Sequence, residues 1–174
     1  MSTVIQFSYA CPHAENQNPT FTGFAVNNVS FVPPTVPVLL QILSGVATAS
    51  DLLPAGSVYG LDRNKSVELT IPGGAVGGPV SIHRLRLKYR QIDGRRFSQQ
   101  HPVHLHGHNF YVVRSAGNSS YNFDNPVIRD VVSIGNLGDD VTIRFFTDNP
   151  GPYFFHCHID WHLTTSVILL WAFC

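Results

Sequence analysis

Seven of the nine histidines in this 174-residue chain lie in two short clusters. The first reads His101-Pro102-Val103-His104-Leu105-His106-Gly107-His108, and the second His156-Cys157-His158-Ile159-Asp160-Trp161-His162. Side chains alternate between the two faces of a strand. His104 and His106 therefore share one face, as do His156 and His158, and Cys157 must turn to the other. His101 differs in parity from His104 and falls opposite the pair, while His162 follows a short bend that can return it to the cysteine side. Alternation thus sorts the donors into two sets. Cys157, His101 and His162 give one thiolate and two imidazoles, the trigonal ligand set of a blue-copper electron-transfer site with a weak or absent axial partner. His104, His106, His156 and His158 give four imidazoles, enough for more than one metal. Cys157 and its flanking histidines join the two sets covalently, so an electron has a through-bond route between them.

Other chemistry fits these residues less well. Structural zinc favours paired cysteines at close spacing, and the three cysteines, Cys11, Cys157 and Cys174, form no such pair. A cysteine nucleophile needs one histidine as its base, not seven. A lone His-x-His pair is most often structural, but two clusters together favour copper. His13 and His83 have no such neighbours, and His108 reads as a structural or supporting residue.

The elements that must hold these donors read as short strands. Turn signals recur at Pro33-Pro34, Pro54 to Gly56, Pro72 to Gly74, Gly117 to Ser119, Asn125-Pro126 and Asn149 to Pro152. Between them lie β-rich runs at 66–71, 109–114, 127–133, 140–146 and 151–156, which point to an all-β sandwich or barrel. Val141, Ile143 and Phe145 alternate with Thr142, Arg144 and Phe146, as in a half-buried strand. The core should combine these alternating residues with Phe110, Val112, Tyr153 and Phe155. Residues 37–44 and 48–53 read as short helices.

Eleven basic and eleven acidic residues cancel, and hydrophobic residues make up 44% of the chain, so composition excludes disorder and advertises no nucleic-acid partner. The longest apolar run, 167–173, is too short to span a bilayer. No membrane association is expected, and no secretory signal is visible. Residues 80–100 stand apart, with six of the eleven basic residues and one acid, Asp93. Three glycosylation sequons begin at Asn28, Asn64 and Asn118.

The two clusters resemble the C-terminal copper signatures of multicopper oxidases. The wider text is similar to the fungal laccases of that family at 30–45, 51–59, 112–117, 121–133 and 149–154. The resemblance covers about residues 20–79 and 101–163, and it matches only the family's third, C-terminal cupredoxin domain. It implies a cupredoxin-like Greek-key β-sandwich or barrel over 20–174, whose completeness the sequence leaves open. An atypical segment at 1–19 would precede this domain and an insertion at 80–100 would interrupt it. By resemblance His101, Cys157 and His162 would bind type 1 copper, His104 type 2 copper, and His106, His156 and His158 the type 3 pair. A phenol or aromatic amine would give up single electrons near His162. They would pass through Cys157 and its flanking histidines to a trinuclear cluster that reduces dioxygen to water. The resemblance also implies a secreted glycoprotein active in lignin breakdown.

Departures from the family pattern bear on that expectation. The family's other two His-x-His motifs and its other cupredoxin domains have no counterpart here, so the isolated chain should be incomplete and inactive. Val167 stands near the axial position and cannot coordinate. The family's tail is replaced by an end at Cys174. Residues 80–100 read as a retained intron: Val80-Ser81 can be encoded by a GT-AG opening and Gln100 by a closing CAG. A mature message still encoding them would sink that reading. Two other readings compete with the oxidase domain: a single-domain blue-copper electron carrier, and a non-functional product of a misread gene. The surplus of His-x-His and His-Cys-His residues, which a carrier does not need, separates the first of these from the oxidase.

Overall fold

The computed structural model describes residues 2–4, 7–10, 23–26, 31, 34–45, 48–73, 100–136, 138–160 and 168–173, the strands at 2–26 and 168–173 by their backbone alone. Residues 80–99, Cys11, His162, Val167 and Cys174 lie outside the described residues. Among the described residues, two five-stranded sheets and one two-stranded antiparallel pair form. In chain order the strands are β1 (Ser2–Val4), β2 (Phe7–Ala10), β3 (Gly23–Val26), β4 (Val58–Leu61), β5 (Ser66–Pro72) and β6 (Pro102–Leu105). After these come β7 (Phe110–Arg114), β8 (Val127–Arg129), β9 (Val131–Ser133), β10 (Asp140–Phe146), β11 (Pro152–Cys157) and β12 (Ile168–Phe173). The first sheet has the order β1-β5-β10-β7-β8 and the second β4-β12-β11-β6-β9, while β2 and β3 pair with each other.

The chain crosses repeatedly between the sheets, and the core lies where their inner faces meet. Val67, Leu69 and Ile71 of β5, Val141, Ile143 and Phe145 of β10, and Phe110 and Val112 of β7 pack in one cluster with Val103, Leu105, Phe155 and Cys157 of β6 and β11. Each fully buried Leu, Ile or Phe contributes roughly 1.5–3 kcal/mol of transfer free energy. The sequence-based core holds in β5, β7, β10 and β11, with Tyr153 packed against its edge, but Val127, Ile128 and Val131 of the run at 127–133 stay exposed. Thr142 is the exception to alternation on β10. It is fully buried because its hydroxyl lies 3.1 Å from that of Thr70 and 3.5 Å from the Tyr121 hydroxyl, under the loop that follows β7.

Both short helices form. α1 (Val38–Leu43) starts after Pro37 and stops at Gly45, whose φ of 72° closes the turn. α2 (Ala49–Leu52) is held by the Thr48 backbone N–H donating to the Asp51 carboxylate at 2.9 Å. Val38 and Leu53 join Phe31 in a second small core.

The run at 127–133 is not one strand, as its composition suggests. It breaks at Asp130, so that β8 pairs with β7 in the first sheet and β9 with β6 in the second. Valine and isoleucine on both sides of the break share the same β preference, so composition hides the corner where the chain changes sheet.

Candidate metal centre

β11 lies between β6 and β12, antiparallel to both. Its register with β6 sets Cys157 beside Val103 and His156 beside His104. Cys157 thus joins the inward row with Val103, Leu105 and Phe155, and is 1% exposed. His101, the residue just before β6, is equally buried, and its Nδ1 lies 3.5 Å from the Cys157 Sγ. The His101 carbonyl accepts the Ile134 N–H at 3.0 Å, which fixes its backbone against the second sheet. A thiol and an imidazole nitrogen therefore meet in the apolar interior. Burial pushes the Cys157 thiol up to about 11, against the lowering effect of a hydrogen bond from the Ile159 backbone.

The opposite side of the same strands carries the imidazoles. The rings of His104 and His106 are 4.8 Å apart, those of His106 and His156 4.9 Å, and those of His104 and His158 5.6 Å. Two backbone anchors keep the turn and the strand end in place: the His106 N–H donates to the Phe154 carbonyl at 2.9 Å, and the His158 N–H to the Pro102 carbonyl at 2.7 Å. His106 and His158 are exposed, His104 is half-buried and His156 is buried, so the face is less open than four surface histidines would make it. Strict strand alternation also does not place His106, because β6 ends at Leu105 and His106 belongs to the following turn.

Hydrogen bonds fix which ring nitrogen is available. His104 Nδ1 lies 2.6 Å from the Asp130 carbonyl, and His156 Nδ1 lies 2.9 Å from the Cys157 carbonyl. A carbonyl only accepts, so each Nδ1 carries the proton and each Nε2 is left as the donor to a metal. His106 Nε2 and His156 Nε2 face each other at 2.8 Å, and with the His156 proton on Nδ1 it is His106 Nε2 that donates. Burial, followed by the nearby His106, His104 and His158, lowers His156 to about 4, although its bond to the Cys157 carbonyl acts the other way. Burial and then His104 and His158 lower His106 as well. Both rings are therefore neutral at pH 7, the form that ligates metal.

Among the described residues, no three His, Cys, Asp or Glu donors close around one ion. The donor chemistry nevertheless fits copper. A cysteine sulfur beside an imidazole suits a blue-copper centre, and a group of neighbouring imidazoles suits further copper ions.

Some positioning residues carry no motif. Asp130 acts through its backbone carbonyl at the sheet-crossing corner, which also accepts the Leu105 N–H at 3.1 Å. Asn149 donates from Nδ2 to the Gly107 carbonyl at 3.1 Å. Gly107 has a φ of 69°, and a Cβ there would fall within the Tyr153 ring. In the sequence Asp130 shows only as an acidic residue interrupting a β-rich run, Asn149 as the start of a turn signal and Gly107 as a spacer in the first cluster. His108 packs edge-on against Tyr153 and Phe145 at 5.0 and 5.6 Å, and its Nδ1 lies 3.3 Å from the His106 carbonyl. A cavity of about 400 Å³ lined by Val38, Leu39, Tyr153 and Phe154 borders His106 on the imidazole side.

A strand that directs a thiol into a cupredoxin-like core and its two neighbouring imidazoles outward defines a copper-oxidase domain. The family model described as "Multicopper oxidase" matches residues 31–171, and the chain belongs to that family. Copper is the cofactor that membership brings. The chain is 56% identical over 163 residues to the laccase of Phlebia radiata, covering 91% of this chain and 27% of that protein. It is 53% identical over 155 residues to laccase-2 of Pleurotus ostreatus, covering 87% and 25%. The crystal structure of the laccase from Botrytis aclada superimposes with a TM-score of 0.66 at 24% identity, over 99% of this chain and 28% of that one, and shows the same fold. The resemblance to fungal laccases therefore stands, and the fold is the all-β cupredoxin sandwich, with its sheets open rather than closed into a barrel. The chain spans about a quarter of the length of the curated relatives it matches.

Proposed function

We propose that this chain is the C-terminal cupredoxin domain of a laccase-type oxidase, occupying 20–174 after an atypical segment at 1–19 and interrupted at 80–100. The observation that carries the reading is the division at β11. Cys157 Sγ meets His101 Nδ1 at 3.5 Å inside the core, while His104, His106, His156 and His158 gather on the outer side. In this reading His101, Cys157 and His162 hold a type 1 copper, His104 a type 2 copper, and His106, His156 and His158 the type 3 pair.

Copper held by these residues would supply one-electron redox chemistry beside the Cys157 sulfur and dioxygen reduction on the imidazole side. The chain's own residues bind, insulate and connect. The apolar row of Val103, Leu105 and Phe155 keeps water from the Cys157 sulfur. Asp130 and Cys157 hold the protons of His104 and His156 on Nδ1, leaving both Nε2 atoms for metal. The bonds from Cys157 to His156 and His158 carry electrons from the inner to the outer set. The balanced reaction takes four phenols and one dioxygen to four phenoxyl radicals and two waters, and aromatic amines can serve as the reductant in the same way. The upstream cupredoxin domains of the relatives would supply the remaining imidazoles, so the isolated chain would not complete the reaction. Secretion, glycosylation and a role in lignin degradation belong to the same reading.

The test is visible spectroscopy of the copper-loaded chain. The wild-type chain should show the intense thiolate-to-copper band and Cys157→Ser should lack it. A folded, copper-loaded Cys157→Ser chain as blue as the parent would overturn the assignment.

A further inference from the structure

The sequon at Asn118 adjoins a feature that the copper chemistry does not use. On the loop after β7, Tyr121 and Phe123 stack with ring centroids 5.5 Å apart and planes 23° from parallel. They remain 44% and 53% exposed. Arg144 lies over Phe123 at 4.3 Å and Arg114 over Tyr121 at 5.6 Å. Arg114 also ties this aromatic step to the sequon, because its Nε donates to the Asn118 carbonyl at 3.0 Å. The Asn118 amide is itself oriented: its Oδ1 accepts the Ser120 N–H at 2.9 Å, which turns Nδ2 away from that bond.

We propose that Asn118 carries an N-linked glycan whose first sugar covers the exposed side of the Tyr121–Phe123 step. In the transfer, Asn118 Nδ2 attacks the anomeric carbon of a lipid-diphosphate-linked oligosaccharide. The N–C bond forms as the C–O bond to the diphosphate breaks, and the amide nitrogen gives up one proton. Asn118, Ser119 and Ser120 are all exposed, so the folded chain leaves room for the product. The stack and the two arginines still leave about half of each ring in water, an apolar surface that the carbon–hydrogen face of a sugar can cover. The sequon at Asn64 is also exposed and serves as an internal comparison, while that at Asn28 lies outside the described residues.

The inference rests on the proposed secretion, so the test supplies delivery separately. The chain is expressed behind a leader of a eukaryotic secreting host, and occupancy at Asn118 and Asn64 is read by mass spectrometry. Modified Asn64 shows that the chain reached the glycosylating compartment. Chymotrypsin cleavage after Tyr121 and Phe123 is then timed for three forms: the full glycoprotein, the form trimmed to a single N-acetylglucosamine, and Ser120→Ala. That last variant destroys the sequon but keeps the backbone N–H that holds Asn118. Both sugar-bearing forms should be cut at least about threefold more slowly than Ser120→Ala, because exposed loop tips are preferred sites of nicking. An unmodified Asn118 in the secreted chain, whatever the state of Asn64, would overturn the proposal. So would a single-sugar form cut as fast as Ser120→Ala.

Discussion

The two faces of β11 arise from one alternation and yet depend on different parts of the protein. On the inner face, Cys157 sits in the main core among Val103, Leu105 and Phe155, and His101 is brought to it by β6. Packing of this core is enough to bring the two side chains together. On the outer face, His106 and His158 are exposed, and the four imidazoles are held by backbone bonds to a corner, a turn and a strand end. Those anchors set the tautomers and approximate positions but enclose no ion. A buried thiol–imidazole pair and a more open group of four imidazoles therefore occupy opposite sides of a single strand. The difference teaches that core packing alone brings Cys157 and His101 together, whereas the imidazole group depends on backbone bonds to a corner, a turn and a strand end.

The largest effect should come from removing the sulfur. Cys157→Ser should abolish the thiolate-to-copper band completely, whereas His108→Gln should leave it largely intact, since His108 packs against the rings of Tyr153 and Phe145. Loss of the band in folded His108→Gln would erase the distinction between packing residue and ligand. The next effect concerns the whole chain. With only His104, His106, His156 and His158 on the outer side, it should take up no more than about two copper ions, because metal sites need ligands held in place by surrounding structure. An oxygen electrode with the copper-loaded chain and a simple phenol should record no sustained uptake. One dioxygen consumed per four phenols, without peroxide, would mean that copies of this chain complete the outer site together.

Stability should divide along the same line. Phe155 is fully buried beside Cys157, so Phe155→Ala should cost about 3–5 kcal/mol in denaturant unfolding of the metal-free chain. His158 is exposed, and His158→Ala should change stability by less than about 0.5 kcal/mol while weakening copper on the outer face. Equal costs at the two positions would mean that the outer histidines are as much part of the fold as the core.

The inner face was far more legible in the sequence than the outer one. Alternation in β5, β7 and β10 is strong, because each of these strands has one face in the core, and parity along His156-Cys157-His158 separates the thiol from its neighbours. The chain gives less away wherever position depends on backbone. Val127, Ile128, Val131 and Val132 look like one strand because β propensity is the same on both sides of Asp130. The Asp130 carbonyl that orients His104 is a group every residue possesses, so no side-chain pattern announces it. β4 and β6 are only four residues long, and Gly60 and Pro102 mask them. His106 was placed on the correct side by strand parity although it lies in a turn. What holds it there is the bond from its N–H to Phe154 and the fit of Gly107 against Tyr153, which depend on residues more than forty positions away.

The smallest effect provides the finest test of that last point. Asn149 donates to the Gly107 carbonyl at 3.1 Å and so braces the turn that presents His106. The bond is exposed, and its loss in Asn149→Ala should cost no more than about 0.5–1.5 kcal/mol of stability. Its influence on the outer site should be larger than on the fold, since residues that orient metal ligands typically change affinity by about 10–100-fold. The measurement is copper titration in the Cys157→Ser background, where the inner site is disabled and the outer imidazoles are read alone. Weaker outer binding should follow from Asn149→Ala, while the same substitution in the parent chain leaves the thiolate-to-copper band unchanged. Gly107→Ala should weaken outer binding further, because a side chain at that left-handed position collides with Tyr153. If Asn149→Ala left outer affinity unchanged, the turn would be held by Gly107 and the Phe154 bond alone. If it dimmed the thiolate band, the two faces of β11 would be mechanically coupled, and their separation would be one of chemistry but not of structure.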